Sequence, residues 1–209
     1  MTSHARLALV RHGETEQNAR GLWQGRSDSP LTGVGRAQAI ALGERLKPHG
    51  PWNAIVTSSL GRALESARLL AAALGAPLQS PDQDLVEYDF GAWDGLAPAA
   101  LEARGFWTSI ADDPEFAPPG GEPFAAAARR LMAAVMRIAR TGDTVVVTHG
   151  VALAAALALM LTGDARNAAR YALPNGGLAL LHIDTGARLI SIDDPIACGV
   201  GPPAPQGRM

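Results

Sequence analysis

Apolar residues along this chain recur with two different periods. Short continuous runs stop abruptly on polar groups, and longer stretches repeat apolar positions every three or four residues. Leu7 to Val10 is the first short run, and it ends on Arg11 and His12. "AIVTSS", Ala54 to Ser59, is a second, and "DTVVVTHG", ending at His149 and Gly150, is a third. "LTGVGRAQAIALGERLKPHG" predicts a surface helix with Thr32 as N-cap, Val34, Ala37, Ile40 and Ala41 as its apolar positions and Gly50 as a stop. "LGRALESARLLAAALG" predicts another, with Leu60, Leu64, Ala67 and Leu74 on one face and Gly75 at its end. In "EPFAAAARRLMAAVMRIARTG" the inward positions are Phe124, Ala127, Leu131 and Val135. Val151 to Leu161 is apolar throughout, but a membrane span needs roughly 20 such residues, so this stretch predicts a buried helix. Near the end, "LALLHID" and "ARLISID" flank an Asp-Thr-Gly turn and predict a hairpin.

Strands alternating with helices predict an α/β fold, a three-layer sandwich with a mostly parallel central sheet and helices on both faces. One domain is expected over residues 1–197, with an insertion rich in Pro, Gly and aromatics at about 96–123 and a disordered tail at 198–209. In such sheets the functional crevice lies beyond the carboxyl ends of the strands. Three predicted strand ends point polar groups there: Arg11-His12, Thr57-Ser58-Ser59 and Thr148-His149-Gly150.

Composition narrows the function classes. With 209 residues, 47% of them apolar, the chain can bury a sizeable core. A net charge of −2 supplies no general attraction to nucleic acid or anionic membrane, so any anion site must be local. The single cysteine, Cys198, forms no internal disulfide and fits a reducing compartment. Leu7 to Val10 is too short for the apolar core of a secretory signal, which takes about 7 to 15 residues, and the expected compartment is the cytoplasm. A homodimer through the sheet edge stays open, although neither strand pattern nor surface composition argues for it.

The candidate chemistry lies at the strand ends. Arg11, Arg62 on the first turn of the second helix, and Asn18 could share one small space, and guanidinium groups with few carboxylates are costly to assemble unless an anion completes them. Phosphate accepts bidentate Arg pairs and is the natural occupant. The two arginines disfavour imidazolium, which keeps His12 neutral and a nucleophile toward phosphorus. They also stabilise the charge on the equatorial oxygens of the transition state, to which His149 can add a hydrogen bond. Glu87, in "LVEYDFGAWDG", is the candidate proton donor to the leaving alkoxide, with Asp89 and Asp94 as competitors.

These residues lie in motifs that resemble the histidine phosphatase superfamily, the phosphoglycerate mutase-like family. "LVRHGETEQN" is the most specific, followed in the family's order by "GLWQGRSDSPLTGVGRAQA", "TSSLGRALESA", "LVEYDFGAWDG", "PGGEPF" and "VVVTHG". The resemblance covers nearly all of the first 180 residues. It implies that His12 is phosphorylated, that Arg11, Arg62 and His149 hold the phosphoryl group, and that Glu87 donates the proton. It further implies that Asn18 and the loop of Gln24 and Gly25 complete the phosphate's hydrogen bonding, beside Gly150. No organic cofactor and no metal are implied; the expected partner is a small phosphomonoester.

Departures from the family pattern bear on substrate. After "THG" many relatives continue with a glycine and soon a basic residue, where this chain has Val151-Ala152-Leu153-Ala154, and the insertion holds one arginine, Arg104, against Glu102, Asp112, Asp113, Glu115 and Glu122. Gln17, Glu65 and Ser66 also depart from the pattern, away from the chemistry. Hydrolysis is therefore favoured over phosphoglycerate mutase action, with Phe106, Trp107 and Phe116 either walling the pocket or packing the insertion. Removal of phosphate from a cobalamin precursor is a narrower phosphatase option, and a non-catalytic phosphate-binding protein is the non-enzymatic one. A metal held by His12, His149 and Glu87 ranks low, because Arg11 and Arg62 would repel the cation. A P-loop is ruled out by the absence of "GxxxxGK". Ser58 and Ser59 are expected to hydrogen-bond the second nitrogen of His12, Trp23 to be buried against the sheet and Trp93 to anchor the Glu87 loop. Solvent or packing roles are expected for His4, His49 and His182.

Overall fold

The computed structural model describes residues 5–184 and 186–193. The chain order is β1 (Ala5–Arg11), α1 (Glu16–Ala19), α2 (Gly33–Leu46), β2 (Ala54–Thr57), α3 (Gly61–Leu74), α4 (Pro98–Glu102), α5 (Phe106–Asp112), α6 (Phe124–Ala139), β3 (Thr144–Thr148), α7 (Gly150–Thr162), β4 (Leu178–Ile183) and β5 (Ala187–Ile192). His4, Cys198, the expected tail and Thr185 of the hairpin turn lie outside the described residues.

The sheet order is β2-β3-β1-β4-β5. The first three strands are parallel, with Leu7 opposite Thr144 and Ala54 opposite the same residue on the other side. β4 and β5 extend the sheet antiparallel as the expected hairpin. Alternation along β1 sends Leu7 and Leu9 to one face, against α6 and α7, and Ala8 and Val10 to the other, against α2 and α3. This makes the three layers. A fully buried apolar side chain contributes roughly 1.5–3 kcal/mol, and α6 places Phe124, Leu131 and Val135 in the core, as its periodicity predicts. Among the described residues no helix is long and apolar enough to cross a membrane.

The expected face of α2 is inverted. Val34, Ala37, Ile40 and Ala41 are exposed, and Gly35, Ala39, Leu42, Gly43 and Leu46 are buried. Small residues decide the matter. A Cβ on Gly43 would stand 2.6 Å from the Ala73 Cβ on α3, and one on Gly35 would run into the backbone of Glu14 in the loop after β1. Close helix approach outweighs the area of two exposed aliphatic side chains. Thr32 caps α2 as expected, accepting from the Gly35 N–H at 3.0 Å.

The insertion region folds around aromatics. Tyr88, Phe90, Phe106 and Phe124 are fully buried together, and Trp23, Trp93, Trp107 and Phe116 pack onto their periphery. Phe106 is thus a core residue, in edge-to-face contact with Trp107 at 4.8 Å.

Candidate active site

Parallel pairing brings the strand ends together. Arg11 pairs in register with Thr148, and the His12 N–H continues the ladder to the Thr148 carbonyl at 3.0 Å. β3 separates β1 from β2, yet Arg62, on the first turn of α3, reaches across to His12. The rings of His12 and His149 lie 5.1 Å apart.

His12 is buried, and its two nitrogens have different partners. Nδ1 lies 2.7 Å from the Gly13 carbonyl, an acceptor, so it carries the proton. Nε2 therefore holds the lone pair and accepts from Arg62 Nε at 3.2 Å. Burial, then Arg62, then Arg11 hold the His12 pKa well below the ordinary imidazole range. Ser58 and Ser59 do not take the expected role: Ser58 Oγ pairs with His149 Nε2 at 2.7 Å and Ser59 Oγ donates to Gln83 at 2.7 Å. A backbone carbonyl one residue from His12 is already in place to fix the tautomer.

Arg62 is fully enclosed. It donates to the carbonyls of Gly25 at 2.7 Å and Ser27 at 2.8 Å and to the Asp28 carboxylate at 3.1 Å. Burial lowers its pKa, and Glu87 and Asp28 oppose the shift, but guanidinium stays charged. Asp28 also accepts from the Gly61 N–H at 2.6 Å, so one carboxylate both caps the start of α3 and orients Arg62.

Arg11 donates to the Leu173 carbonyl at 2.8 Å. Its guanidinium lies against Gly150, where a Cβ would sit 3.1 Å from Cζ and Nε; this close approach explains the glycine after His149. Burial first, then Arg62, His12 and Arg11, push the His149 pKa well down. Its buried Nδ1 has no hydrogen-bond partner among the described residues.

Glu87 is buried at the N-terminus of α7. Oε1 accepts from the N–H groups of Tyr88 at 2.8 Å and Ala152 at 2.7 Å, and Oε2 from that of Val151 at 3.0 Å. Arg130 holds the backbone beside it through the carbonyls of Asp84 at 2.8 Å and Val86 at 2.9 Å. Glu122, in "PGGEPF", pairs with Arg130 at 2.7 Å and accepts from the Asp89 N–H at 3.0 Å. The competitors of Glu87 are occupied in the loops: Asp89 accepts from Gly91, and Asp94 from the backbone of Gly25 and Ser27. Trp93 packs on Phe106 and Phe116.

Asn18 and Gln24 line the cavity in front of His12, and Gly25 does not. The Gly25 N–H is donated to Asp94 at 2.9 Å and its carbonyl accepts from Arg62, so Gly25 supports the arginine and not the ligand. The cavity holds about 210 Å³. Trp107 and Trp23 contribute to its wall, and both remain partly exposed. His49 is exposed, and His182 is half-buried, 3.8 Å from Asp184. Among the described residues no group of three or more His, Cys, Asp or Glu is placed to hold a metal ion.

Three functional neighbours escaped the sequence reading, Asp28, Arg130 and Asn175, while Ser66, expected away from the chemistry, instead links the residue after His12 to Arg62. Ser66 Oγ accepts from the Gly13 N–H at 3.0 Å and donates to the Arg62 carbonyl at 2.8 Å. Asn175 lines the cavity and donates to Asn18 Oδ1 at 3.0 Å and the His12 carbonyl at 3.3 Å. Its one signal is an Asn-Gly-Gly turn sequence, which marks a bend and not a site.

Comparison with known proteins sets this geometry in context. The model of the histidine phosphatase superfamily (branch 1) matches residues 7–192. A glucosyl-3-phosphoglycerate phosphatase of Mycolicibacterium vanbaalenii is 40% identical over 119 residues, 56% of this chain and 52% of that protein, so the chain spans about half the length of that relative. An adenosylcobalamin/alpha-ribazole phosphatase of Salmonella typhimurium is 31% identical over 195 residues, covering 90% of this chain and 95% of its own. Among solved structures, a mycobacterial glucosyl-3-phosphoglycerate phosphatase in complex with VO3 aligns with a TM-score of 0.77 at 31% identity, over 90% of this chain and 97% of that one.

Proposed function

The chain belongs to the histidine phosphatase superfamily, and from that premise we propose that it is a metal-independent phosphomonoester hydrolase acting on a small phosphorylated metabolite through a phosphohistidine. One observation carries this reading. His12 gives its Nδ1 proton to a backbone carbonyl and presents Nε2, unprotonated, beside Arg62. That nitrogen is a nucleophile held neutral in a cationic surround that suits a phosphoryl dianion.

In the first step Nε2 attacks phosphorus and the bond to the ester oxygen breaks. The leaving alkoxide takes a proton from the carboxyl of Glu87, whose Oε2 accepts a single hydrogen bond and so has a position to carry it. Arg11 supplies donors to the equatorial oxygens, Arg62 turns its Nε–H from the attacking His12 nitrogen to one of them, and His149 Nδ1, which has no hydrogen-bond partner among the described residues, adds another. In the second step Glu87, now a carboxylate, takes a proton from water as the water oxygen attacks phosphorus. The bond from phosphorus to nitrogen breaks, which releases inorganic phosphate and neutral His12. Mutase action would need a cation for a substrate carboxylate, and the outer wall of the cavity offers none.

Phosphate release from a panel of monoesters, with chelator present, tests the reading. Wild type should turn over and form an acid-labile, base-stable phosphoenzyme on rapid quench, and His12→Ala should lose both. Loss of turnover with chelator, or full activity in His12→Ala, would overturn it.

A further inference from the structure

The two ends of the cavity are unlike. At the inner end Arg11, Asn18, Gln24, Glu87 and Asn175 surround His12. The outer wall is uncharged: Leu22, Trp23, Pro98, Trp107, Val151 and Ala168 contribute to it. Trp23 and Trp107 meet edge to face at 5.4 Å over fully buried Phe90 and Phe106, and both line the cavity.

Cations of the surrounding loops are turned elsewhere. Arg166 pairs with Asp164 at 2.8 Å, Arg129 with Glu115 at 2.8 Å and Arg130 with Glu122 at 2.7 Å. Arg104 donates to the Ala100 carbonyl of its own helix at 2.8 Å. None of these lines the cavity, and neither do the exposed Arg20 and Arg170. Among the described lining residues Arg11 is the one cation, and it lies at the phosphoryl end.

From this wall we infer, resting on the phosphomonoesterase reading above, that the alcohol half of the substrate is uncharged and ring-bearing, and carries no carboxylate. A carboxylate against this wall would leave water with no partner in exchange, and a polyol would strand its hydroxyl groups. A flat apolar ring covers the exposed indole surface instead and releases its water. A cavity of roughly 150 Å³ admits a benzene ring. The observed 210 Å³ therefore suits a phosphoryl group with about one ring beside it.

The test compares kcat/KM for benzyl phosphate and cyclohexylmethyl phosphate with that for O-phosphoserine and 3-phosphoglycerate, with chelator present. Benzyl, cyclohexylmethyl and seryl esters all leave as alkoxides, so intrinsic reactivity does not decide the ranking. The neutral ring esters should lead by on the order of 10- to 100-fold, the discrimination a hydrophobic pocket supplies. Trp107→Ala should cost the ring esters about tenfold, through KM, and cost the carboxylate esters less. Ala169→Arg, at an exposed position on the wall, should raise turnover of the carboxylate esters. Equal or better turnover of the carboxylate esters by wild type, or an equal loss on all four esters in Trp107→Ala, would overturn the inference. His12→Ala separates the two levels: carboxylate preference that vanishes in that variant sinks the substrate class alone, whereas His12-independent phosphate release sinks the hydrolase reading and this inference with it.

Discussion

The inner and outer ends of one cavity are built by different rules. At the inner end the reacting groups are tied to backbone: His12 to the Gly13 carbonyl, Arg62 to those of Gly25 and Ser27, and Glu87 to three N–H groups. At the outer end the side chains of Trp23, Trp107, Leu22 and Pro98 are uncharged, and the two indoles are set by packing in an aromatic cluster. Backbone ties fix charge and nucleophile to within a fraction of an ångström, as transition-state stabilisation demands. Packing tolerates change of size and shape, as divergence of substrate demands. The difference teaches that the chemistry and the choice of alcohol can vary independently in this molecule.

The sharpest way to break that comparison is to remove charge from the inner end. Arg62→Ala should reduce kcat/KM by on the order of 10² to 10³, the usual cost of one donor to a developing oxyanion. The loss should be the same for every ester, since the outer wall is untouched. A loss that varied with the alcohol would show that the two ends are coupled. Stopped assays on two esters of different ring size decide it.

A smaller effect should follow one layer back. Asp28 touches no cavity wall, yet it pairs with Arg62 Nη1 and caps α3. Asp28→Asn keeps an acceptor for the Gly61 N–H but removes the charge, and a hydrogen bond to a charged group is worth roughly 1.5–3 kcal/mol. We expect about a tenfold loss in kcat with little change in KM, again uniform across esters. A change in KM alone would mean that Asp28 acts by shaping the loop and not through Arg62.

The sequence exposed the inner end and hid most of the outer one, for a physical reason. Arg11, His12, Arg62 and His149 are polar groups at strand ends and a helix start, where buried charge needs a purpose, and Glu87 stands out by its motif; the structure buries all five, with Arg11, His12 and Glu87 on the cavity wall and Arg62 and His149 against His12. Gly25 was placed with them by its motif, but its N–H and carbonyl are already spent on Asp94 and Arg62, a fact that depends on loops distant in sequence. Asp28, Arg130 and Asn175 lie on ordinary helix and loop surface until tertiary contacts give them partners. The face of α2 was misread for a related reason. Apolar area marks Val34 and Ile40, whereas the packing is set by what Gly35 and Gly43 lack. Aromatic residues in the insertion were visible as a group, but only packing separates Phe106, in the core, from Trp107, on the cavity wall.

The inner end also carries a stability cost that the outer end does not, and pH exposes it. His12 and His149 are both held well below the ordinary imidazole range, burial being the main cause for each. In the unfolded chain both bind a proton near their ordinary pKa of about 6.5. Below that pH the unfolded state therefore holds more protons than the folded one, and stability falls as pH falls. The slope for each histidine is at most about 1.4 kcal/mol per pH unit. Melting temperature should accordingly decline as pH falls from 7 toward 5. Replacing one histidine, in His149→Gln, should remove up to half of their combined slope, and Trp107→Ala should leave the slope unchanged whatever it does to the absolute melting temperature. An unaltered slope in His149→Gln would mean that the acid sensitivity arises elsewhere, and that the inner end accommodates protonated imidazole more easily than its two enclosed arginines allow.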